Sequence, residues 1–244
     1  MNKTIHYCWF GKSLIPERLR KCMDSWSEKM PDYEIRLWNE ATFDVESVSW
    51  TNSAYRAKKY AFVSDYVRLV ALYQHGGIYL DTDVKLLKSL APLQKKFSNF
   101  MGFENGKVVT SAVICVEPYH PIIKEFLDYY NTREFSDEVV SANEANVLMM
   151  TKLLEKYGLH ADNTEQDVEI RSSSMHIFPQ TYFCPLDFYH HKDFSQQTHA
   201  IHYFDASWLD EDTKQRIENE RSILYKMKAY VLQFLSTIKH FLIK

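Results

Sequence analysis

The sequence predicts an α/β domain with a mostly parallel central sheet flanked by helices. Three observations favour this class. Short apolar runs alternate with stretches of helical periodicity, the chain opens in strand–helix–strand order, and a glycine pair separates a long helical stretch from another strand. A length of 244 residues suffices for one large domain with a sizeable core. Hydrophobic and charged fractions of 45% and 25% are ordinary for a soluble globular protein.

The first three elements form a strand–helix–strand unit. KTIHYCWF (residues 3–10) is a short apolar run bounded by Gly11 and is predicted to be a buried strand. Pro16 suits the first turn of a helix, which we expect to continue to Met30 with its apolar residues on one face. YEIRLW (residues 33–38) alternates and is the second strand, so a right-handed crossover is expected.

The remaining elements are predicted in the same way. YAFVSDYVRLVALYQH (residues 60–75) has helical periodicity, and Gly76-Gly77 is expected to end it as a glycine C-cap. The other predicted elements are strands at IYLD (78–81) and TSAVICVEP (110–118), helices at residues 121–131 and 143–159, and short strand-like pieces at residues 175–185 and 198–204.

The distribution of charge indicates a main domain over residues 1–210 and a basic amphipathic helical tail over residues 211–244. From Lys214 onward seven Lys and Arg residues oppose two Glu, so this segment carries a formal charge of +5 and the rest of the chain −8. A body this acidic argues against a nucleic-acid partner. Apolar residues recur along the tail at helical spacing: Leu224, Met227, Val231, Phe234, Leu235, Ile238, Phe241 and Leu242.

Two environments suit the tail. A basic amphipathic helix can lie in a membrane interface, where anionic lipid attracts it. It can also dock on the core or on a second subunit and leave its lysines in water. The membrane surface is favoured, which predicts a cytoplasmic protein in peripheral contact with the inner face of the membrane.

The cysteine pattern also favours a reducing cytoplasm. Cys8, Cys22, Cys115 and Cys184 are far apart and form no CxxC pair, which predicts buried apolar thiols rather than disulfides or zinc ligands. The N-terminal stretch MNKTIHYCWFGK lacks the apolar run of a signal peptide. No run reaches the roughly 18 apolar residues that a membrane span needs.

Asp81 and Asp83 follow a predicted strand, where open α/β sheets place ligands. Residues i and i+2 of an extended segment point to the same side, so the two carboxylates would form a hard oxygen site for Mg²⁺ or Mn²⁺. A lone pair of this kind is often a solvated turn. Here the preceding helix adds Asp65 and Arg68 on one face. These two either pair with each other or offer acceptors and donors to a sugar nucleotide beside the metal.

The ordered stretch YAFVSDYVRLVALYQHGGIYLDTDV (residues 60–84) resembles the DxD sugar-binding region of family 32 glycosyltransferases. That family includes bacterial capsule-type sugar transferases and the yeast initiating mannosyltransferases, and it resembles more distantly the glucosylating domain of large clostridial toxins. IHYCWFG (5–11) resembles the family's first strand and HAIHYFDASW (199–208) its closing segment. The resemblance implies a GT-A type nucleotide-sugar-binding fold and metal-dependent glycosyl transfer that retains anomeric configuration.

The resemblance also implies residue roles. Asp81 and Asp83 would be the catalytic pair. Trp9 would stack on the nucleotide base, although a buried core Trp is a nearly equal alternative. The donor would be bound by Trp9, Phe10, Gly11, Asp65, Arg68, Tyr79, Asp81, Ser207 and Trp208.

The implied cofactor is Mn²⁺ or Mg²⁺, held by Asp83, Asp81 and His202. Many relatives carry a His-His pair where this chain has His202-Tyr203, so Asp205 or Ser207 stays open as the ligand instead of His202. Asn143 and Glu144 head a predicted helix and could reach an acceptor, while capping of that helix by Asn143 is the alternative.

The expected partners are a nucleotide-sugar donor, with a UDP-hexose such as UDP-galactose favoured over GDP-mannose, and an oligosaccharide or lipid-linked saccharide acceptor in capsular or other surface glycan synthesis. Without a convincing carboxylate nucleophile, same-face attack is the favoured retaining route. Two other classes are weighed. A DxD phosphotransferase or phosphatase would need Thr or Val where this chain has Lys85. An inactive carbohydrate-binding domain would not need the intact set of four charged residues.

Overall fold

The computed structural model describes residues 2–136, 146–186 and 192–205, together with Gln215, Arg216 and Asn219. Backbone contacts divide the chain into a unit Met1–Asp205 and a unit Ala206–Lys244. The predicted boundary at residue 210 and the predicted tail lie outside the described residues, apart from those three, and so remain predictions. None of the helices in the described part combines the length and apolar character that a bilayer crossing requires.

The first half of the described chain begins with the predicted strand–helix–strand unit and continues through the diglycine. Its elements are β1 (Thr4–Cys8), α1 (Glu17–Lys29), β2 (Glu34–Trp38), α2 (Ser49–Arg56), α3 (Tyr60–His75), β3 (Gly77–Leu80), β4 (Val84–Leu86) and α4 (Ala91–Phe97).

The second half adds the strands that complete the sheet and two helices. Its elements are β5 (Phe100–Glu104), β6 (Val108–Val109), β7 (Val113–Val116), α5 (Pro121–Asn131), α6 (Asn146–Glu155), β8 (Gln166–Ile170), β9 (Ser173–Phe178), a 3₁₀ turn (Gln180–Tyr182) and β10 (Ala200–His202).

The central sheet has the strand order β2-β1-β3-β7-β5-β9-β8, with β6 paired to β5 at one side. β1 is parallel to β2 and β3, and β5 is parallel to β9. β7 and β8 run against their neighbours. Five of the seven strands therefore point the same way, which confirms the predicted α/β class and makes the sheet mixed rather than purely parallel.

Helices cover both faces of this sheet because its strands are apolar on both sides. β3 illustrates the alternation: Tyr79 belongs to one buried cluster, together with residues of α2, α3 and α5. Ile78 and Leu80 belong to the other, with Trp26 of α1. All four cysteines are free and buried, as predicted.

A second, two-stranded sheet pairs β4 with β10 in antiparallel register, with His202 opposite Val84. α1 anchors β4 from the side. The indole Nε1–H of Trp26 donates to the carbonyl of Val84 (2.8 Å), and the Leu86 N–H donates to the Ser25 hydroxyl (2.8 Å). β4 is thereby fixed between a helix and the last described strand.

Several elements were not predicted, each for a physical reason. α2 and α4 are short helices of 8 and 7 residues, and β4 has 3 residues, too few for periodicity to be decisive. β8 is an edge strand whose charged residues alternate with buried Val168 and Ile170. β5 contains Gly102, which weakens the strand pattern; a Cβ there would lie 2.6 Å from the Phe183 ring.

The diglycine meets two backbone requirements at once. Gly76 caps α3 with φ +62° and donates its N–H to the Leu72 carbonyl (2.8 Å), which confirms the predicted C-cap. Gly77 has φ +97° and lies against β1, where a Cβ would come within 2.6 Å of the Thr4 carbonyl oxygen. No side chain can be accommodated without moving the backbone of the central strand.

His6 joins β1, β2 and the end of α3. Its Nε2 lies 2.9 Å from the Gly76 carbonyl oxygen, and the indole Nε1–H of Trp38 lies 3.1 Å from its Nδ1. A carbonyl only accepts and an indole N–H only donates, so the ring is neutral with its proton on Nε2. Burial is the main cause that lowers the pKa of His6 to about 4, and the charge of Arg36 adds to it.

Gly77→Ala is expected to reduce the free energy of unfolding by about 3 kcal/mol, because left-handed strain and a backbone clash combine. The matched control is Gly158→Ala, where φ is also positive (+94°) but nothing lies within 4 Å of the added Cβ. Its cost should be about 1 kcal/mol. Chemical denaturation measures both, and equal losses would contradict the role of the Thr4 contact.

The stability of the fold should also fall in acid through His6. The folded pKa lies below the unfolded value of 6.5, so the contribution is complete above pH 6.5 and is lost as pH falls through about 4. The difference between the two pKa values corresponds to about 3 kcal/mol in the free energy of unfolding. Denaturation from pH 7 to pH 4 should give a flatter profile for His6→Gln than for the unsubstituted chain. His160→Gln, at an exposed position, is the control, and an unchanged slope in His6→Gln would refute the assignment.

Candidate active site

The aspartate pair lies in a tight turn between β3 and β4. The Val84 N–H donates to the Asp81 carbonyl (3.0 Å), and the Asp81 N–H donates to Ala112 beside β7 (3.0 Å). The turn, not the expected extended alternation, brings the two side chains together. Carboxylate oxygens of Asp81 and Asp83 and a ring nitrogen of His202 lie within 4.8 Å of one another.

Arg68 of α3 is buried beside this turn, with its side chain 7% exposed. Its Nη2 lies 2.9 Å from Asp65 and 3.3 Å from Asp81, both at Oδ1. Its Nη1 donates to the carbonyl and the hydroxyl of Ser111 (2.9 Å each), and its Nε donates to the Ser64 carbonyl (3.3 Å). Nε and Nη1 therefore donate to protein oxygens, and Nη2 forms ion pairs with both carboxylates.

Tyr79, which lies two residues before Asp81 on β3, contacts both Asp81 and Arg68. The Tyr79 hydroxyl donates to Asp81 Oδ1 (2.8 Å), and the Arg68 guanidinium lies 4.7 Å above the Tyr79 ring. Tyr79 itself is buried. Among the described residues, Asp81 Oδ2 takes no hydrogen bond, so this oxygen remains available to a ligand.

Asp65 is held by two partners on one oxygen. Its Oδ1 forms an ion pair with Arg68 and accepts a hydrogen bond from the side-chain amide of Asn146. Burial is the main cause that raises the pKa of Asp65 to about 6, against the opposing charge of Arg68. Asn146 begins α6 and was not predicted as a site residue. Its polar side chain at the start of an apolar helix was the available signal.

His202 reaches the aspartate turn because β10 pairs with β4. Its Nε2 lies 3.4 Å from Asp83 Oδ2, which also accepts the backbone N–H of Asp205 (2.8 Å). Burial alone would lower the pKa of His202, but the neighbouring Asp83 carboxylate raises it well above its usual value. The pKa of Asp83 is lowered in turn: burial is the largest single cause and opposes this change, but the charge and hydrogen bond of His202, with the charge of Arg18 and a backbone hydrogen bond, together outweigh it.

Asp205, the alternative ligand, has its side chain turned to another partner. Its carboxylate forms an ion pair with Arg18 of α1, and only its backbone N–H contacts Asp83. Within the described residues the pair Asp81 and Asp83 therefore meets His202 rather than the Asp205 carboxylate.

Behind His202 lie two groups that sequence reasoning did not select. Glu104 ends β5, and Cys184 follows the 3₁₀ turn; both are buried. One ligand atom of each lies within 4.8 Å of the others and of a His202 nitrogen. Glu104 could have been noticed as a carboxylate at the end of an apolar strand, whereas nothing local marked Cys184.

The residues after β1 are placed differently from one another. Trp9 is half-buried, and its indole N–H donates to the Ser13 carbonyl (2.8 Å). Phe10 is buried in the core. Gly11 has φ +93° and donates its N–H to Glu40 (2.7 Å). Among these three positions, the half-buried indole of Trp9 offers the aromatic surface.

Four of the predicted site residues cannot be placed. Asn143 and Glu144, predicted near the acceptor, and Ser207 and Trp208, predicted at the donor, lie outside the described residues. Their roles remain predictions.

Comparison with known proteins gives this site a family context. Residues 16–100 match the model of the glycosyltransferase sugar-binding region containing a DXD motif. The chain is 36% identical over 95 residues to inositol phosphoceramide mannosyltransferase 3 of Schizosaccharomyces pombe, covering 37% of this chain and 26% of the relative. It is 33% identical over 73 residues to lactosylceramide 4-alpha-galactosyltransferase of Homo sapiens, covering 28% of this chain and 20% of the relative.

Both relatives are much longer than the aligned segments, so the chain spans only about a quarter of their length or less. Among solved structures, the PaToxG glycosyltransferase superposes with a TM-score of 0.51 at 22% identity, over 64% of this chain and 68% of that chain. This likeness shows the fold and confirms the predicted GT-A type. Residues 16–100 therefore match the glycosyltransferase sugar-binding region that contains a DXD motif, and the domain that carries them has a GT-A type fold.

Proposed function

We propose that the chain is a metal-dependent, retaining glycosyltransferase that moves a hexose from a nucleotide sugar to a saccharide acceptor. One observation carries the proposal. Within the segment that matches the family, a buried Arg68 holds Asp65 and Asp81 together, and β10 brings His202 to Asp83 beside them. Carboxylates and one imidazole at the end of a strand suit a cation and a diphosphate.

The residues present fit a divalent cation. Asp81, Asp83 and His202 each offer one atom within a cluster of 4.8 Å, a set of two hard oxygens and one borderline nitrogen that suits Mn²⁺ and, less well, Mg²⁺. When bound, the cation supplies charge stabilisation to the leaving diphosphate. Asp83 and His202 already contact each other at 3.4 Å, so little rearrangement of the chain is needed.

Asp65 and Asp81 are proposed to hold the donor sugar and ribose by accepting hydrogen bonds from their hydroxyl groups. Each uses its Oδ1 toward Arg68 and leaves Oδ2 without a hydrogen bond among the described residues. Each of the three guanidinium nitrogens of Arg68 contacts the protein, so its proposed role is to orient both carboxylates. Trp9 is proposed to stack on the base.

Retention is proposed to occur by same-face attack. The carboxylates of the cluster are each engaged by a cationic or imidazole side chain: Asp65 and Asp81 by Arg68, and Asp83 by His202. The positive neighbour draws charge from each carboxylate and makes it a weaker nucleophile, so none is proposed to attack the sugar. The same pairing disfavours a phosphotransferase, in which an aspartate attacks phosphorus.

A UDP-hexose is the proposed donor, with UDP-galactose as first candidate in keeping with the name of the human relative. GDP-mannose is the second candidate, which the name of the yeast relative favours. Both relatives' names also specify a ceramide lipid. A lipid-linked saccharide is therefore the proposed acceptor class, in capsular or other surface glycan synthesis. Contact of the basic tail with the cytoplasmic membrane surface would serve such an acceptor.

The test of the proposed reaction is hydrolysis of the donor without acceptor. We expect Mn²⁺-dependent turnover of one sugar nucleotide from a panel of UDP- and GDP-sugars. The release of the free nucleotide measures the rate. Asp83→Ala should lower the rate by at least about a hundredfold, because the diphosphate loses its charge stabilisation. Asp32→Ala is the control, since that side chain is 80% exposed. No turnover of any donor with any metal would overturn the transferase.

A second test addresses the orienting role of Arg68. Arg68→Lys keeps the charge but cannot serve all five acceptors, so buried acceptors lose partners and the free energy of unfolding should fall by about 2 kcal/mol. Donor kcat/KM should fall about a hundredfold, because the carboxylates are displaced. Arg20→Lys, at an exposed position of α1, should change stability by less than about 0.5 kcal/mol. Normal kcat/KM in Arg68→Lys would contradict the role.

A further inference from the structure

His202 faces two different groups of side chains. On its Nε2 side, 3.4 Å away, lies Asp83 of the aspartate turn. On its Nδ1 side, 4.0 Å away, lies Glu104, with Cys184 within the same 4.8 Å cluster of ligand atoms. The three groups come from β5, from the segment after the 3₁₀ turn and from β10, so the fold itself brings them together.

On the Nδ1 side the ring nitrogen lacks a hydrogen-bond partner. His202 Nδ1 is buried and takes no hydrogen bond within the described residues. The nearest carboxylate oxygen, at 4.0 Å, is too far for one. Buried polar atoms ordinarily have partners, and a cation would provide one for this nitrogen.

We propose that Glu104, Cys184 and His202 Nδ1 form a second cation site, here called the rear site, which takes a thiophilic divalent ion such as Zn²⁺ or Cd²⁺. One thiolate, one imidazole and one carboxylate are a donor set that such ions prefer and that Mg²⁺ does not. Binding would release the thiol proton to solvent and form the metal–sulfur bond. The sequence expectation that no cysteine binds metal rested on spacing and is revised by this placement.

The rear site and the proposed catalytic metal site compete for one imidazole. This part of the inference rests on the proposed function. A neutral imidazole has one lone pair free for a metal, since the other nitrogen carries the proton. With the proton on Nδ1, facing Glu104, the Nε2 lone pair faces Asp83. With a cation on Nδ1, the ring proton lies on Nε2, and the Nε2–H group donates to Asp83. The catalytic metal then loses its nitrogen ligand.

Binding of Cd²⁺ to the metal-free full chain tests the rear site without any assay of turnover. A thiolate–Cd²⁺ bond gives an ultraviolet charge-transfer band, and we expect the band to saturate at one equivalent. Cys184→Ser should abolish it. Cys115→Ser, at an equally buried position, should keep it. A band that survives Cys184→Ser, or no band in the unsubstituted chain, would overturn the proposal.

Glu104→Gln keeps the test decisive if Cys184→Ser does not fold, as judged by circular dichroism. It should retain the band and weaken Cd²⁺ binding about tenfold, because the carboxylate ligand is lost. Unchanged Cd²⁺ affinity in this variant would exclude Glu104 from the site.

The competition is tested by activity. One equivalent of Zn²⁺ should raise the Mn²⁺ concentration needed for half-maximal donor hydrolysis about tenfold in the unsubstituted chain and leave Cys184→Ser unaffected. A normal Cd²⁺ band together with no turnover of any donor would support the rear site and contradict the proposed function. Turnover of a donor with no Cd²⁺ band would support the proposed function and contradict the rear site.

Discussion

The buried Arg68 guanidinium is the interaction on which the rest of the site depends. A fully buried charge is costly unless every donor is satisfied and counter-charges are near, and here five acceptors from α3, the aspartate turn and the segment before β7 surround it. Removing both Asp65 and Asp81 would leave this buried charge unpaired. The cationic centre therefore ties helix, strand and turn together where the carboxylates must converge.

Backbone constraints supply the second half of the geometry. Gly77 lets β3 lie against β1, so that the strand delivers Asp81 at its end. Trp26 and Ser25 hold β4, and β10 pairs with β4 in a register that places His202 beside Asp83. The candidate active site thus lies where the two sheets meet: the turn between β3 and β4 carries the aspartate pair, and β10 of the small sheet carries the imidazole.

His202 links the proposed chemistry to the interior. One ring edge faces the aspartate turn, and the other faces Glu104 and Cys184, so in the proposed competition only one side at a time would bind an ion. Because the two proposed cation sites share His202, an ion bound at the rear site would weaken cation binding at the catalytic site. This coupling follows from the two-sided chemistry of imidazole and needs no movement of the backbone.

The sequence by itself determined the features that are local along the chain. Helical and strand periodicity, the diglycine and the spacing of Asp65, Arg68, Asp81 and Asp83 lie within residues 60–84, where side-chain direction follows from the backbone period. His202 entered only through resemblance. The partners from distant segments, Ser111, Asn146, Glu104 and Cys184, were decided by tertiary structure alone. Strand order and the β4–β10 register help to bring them to the site, and no local spacing encodes a contact between residues of separate elements.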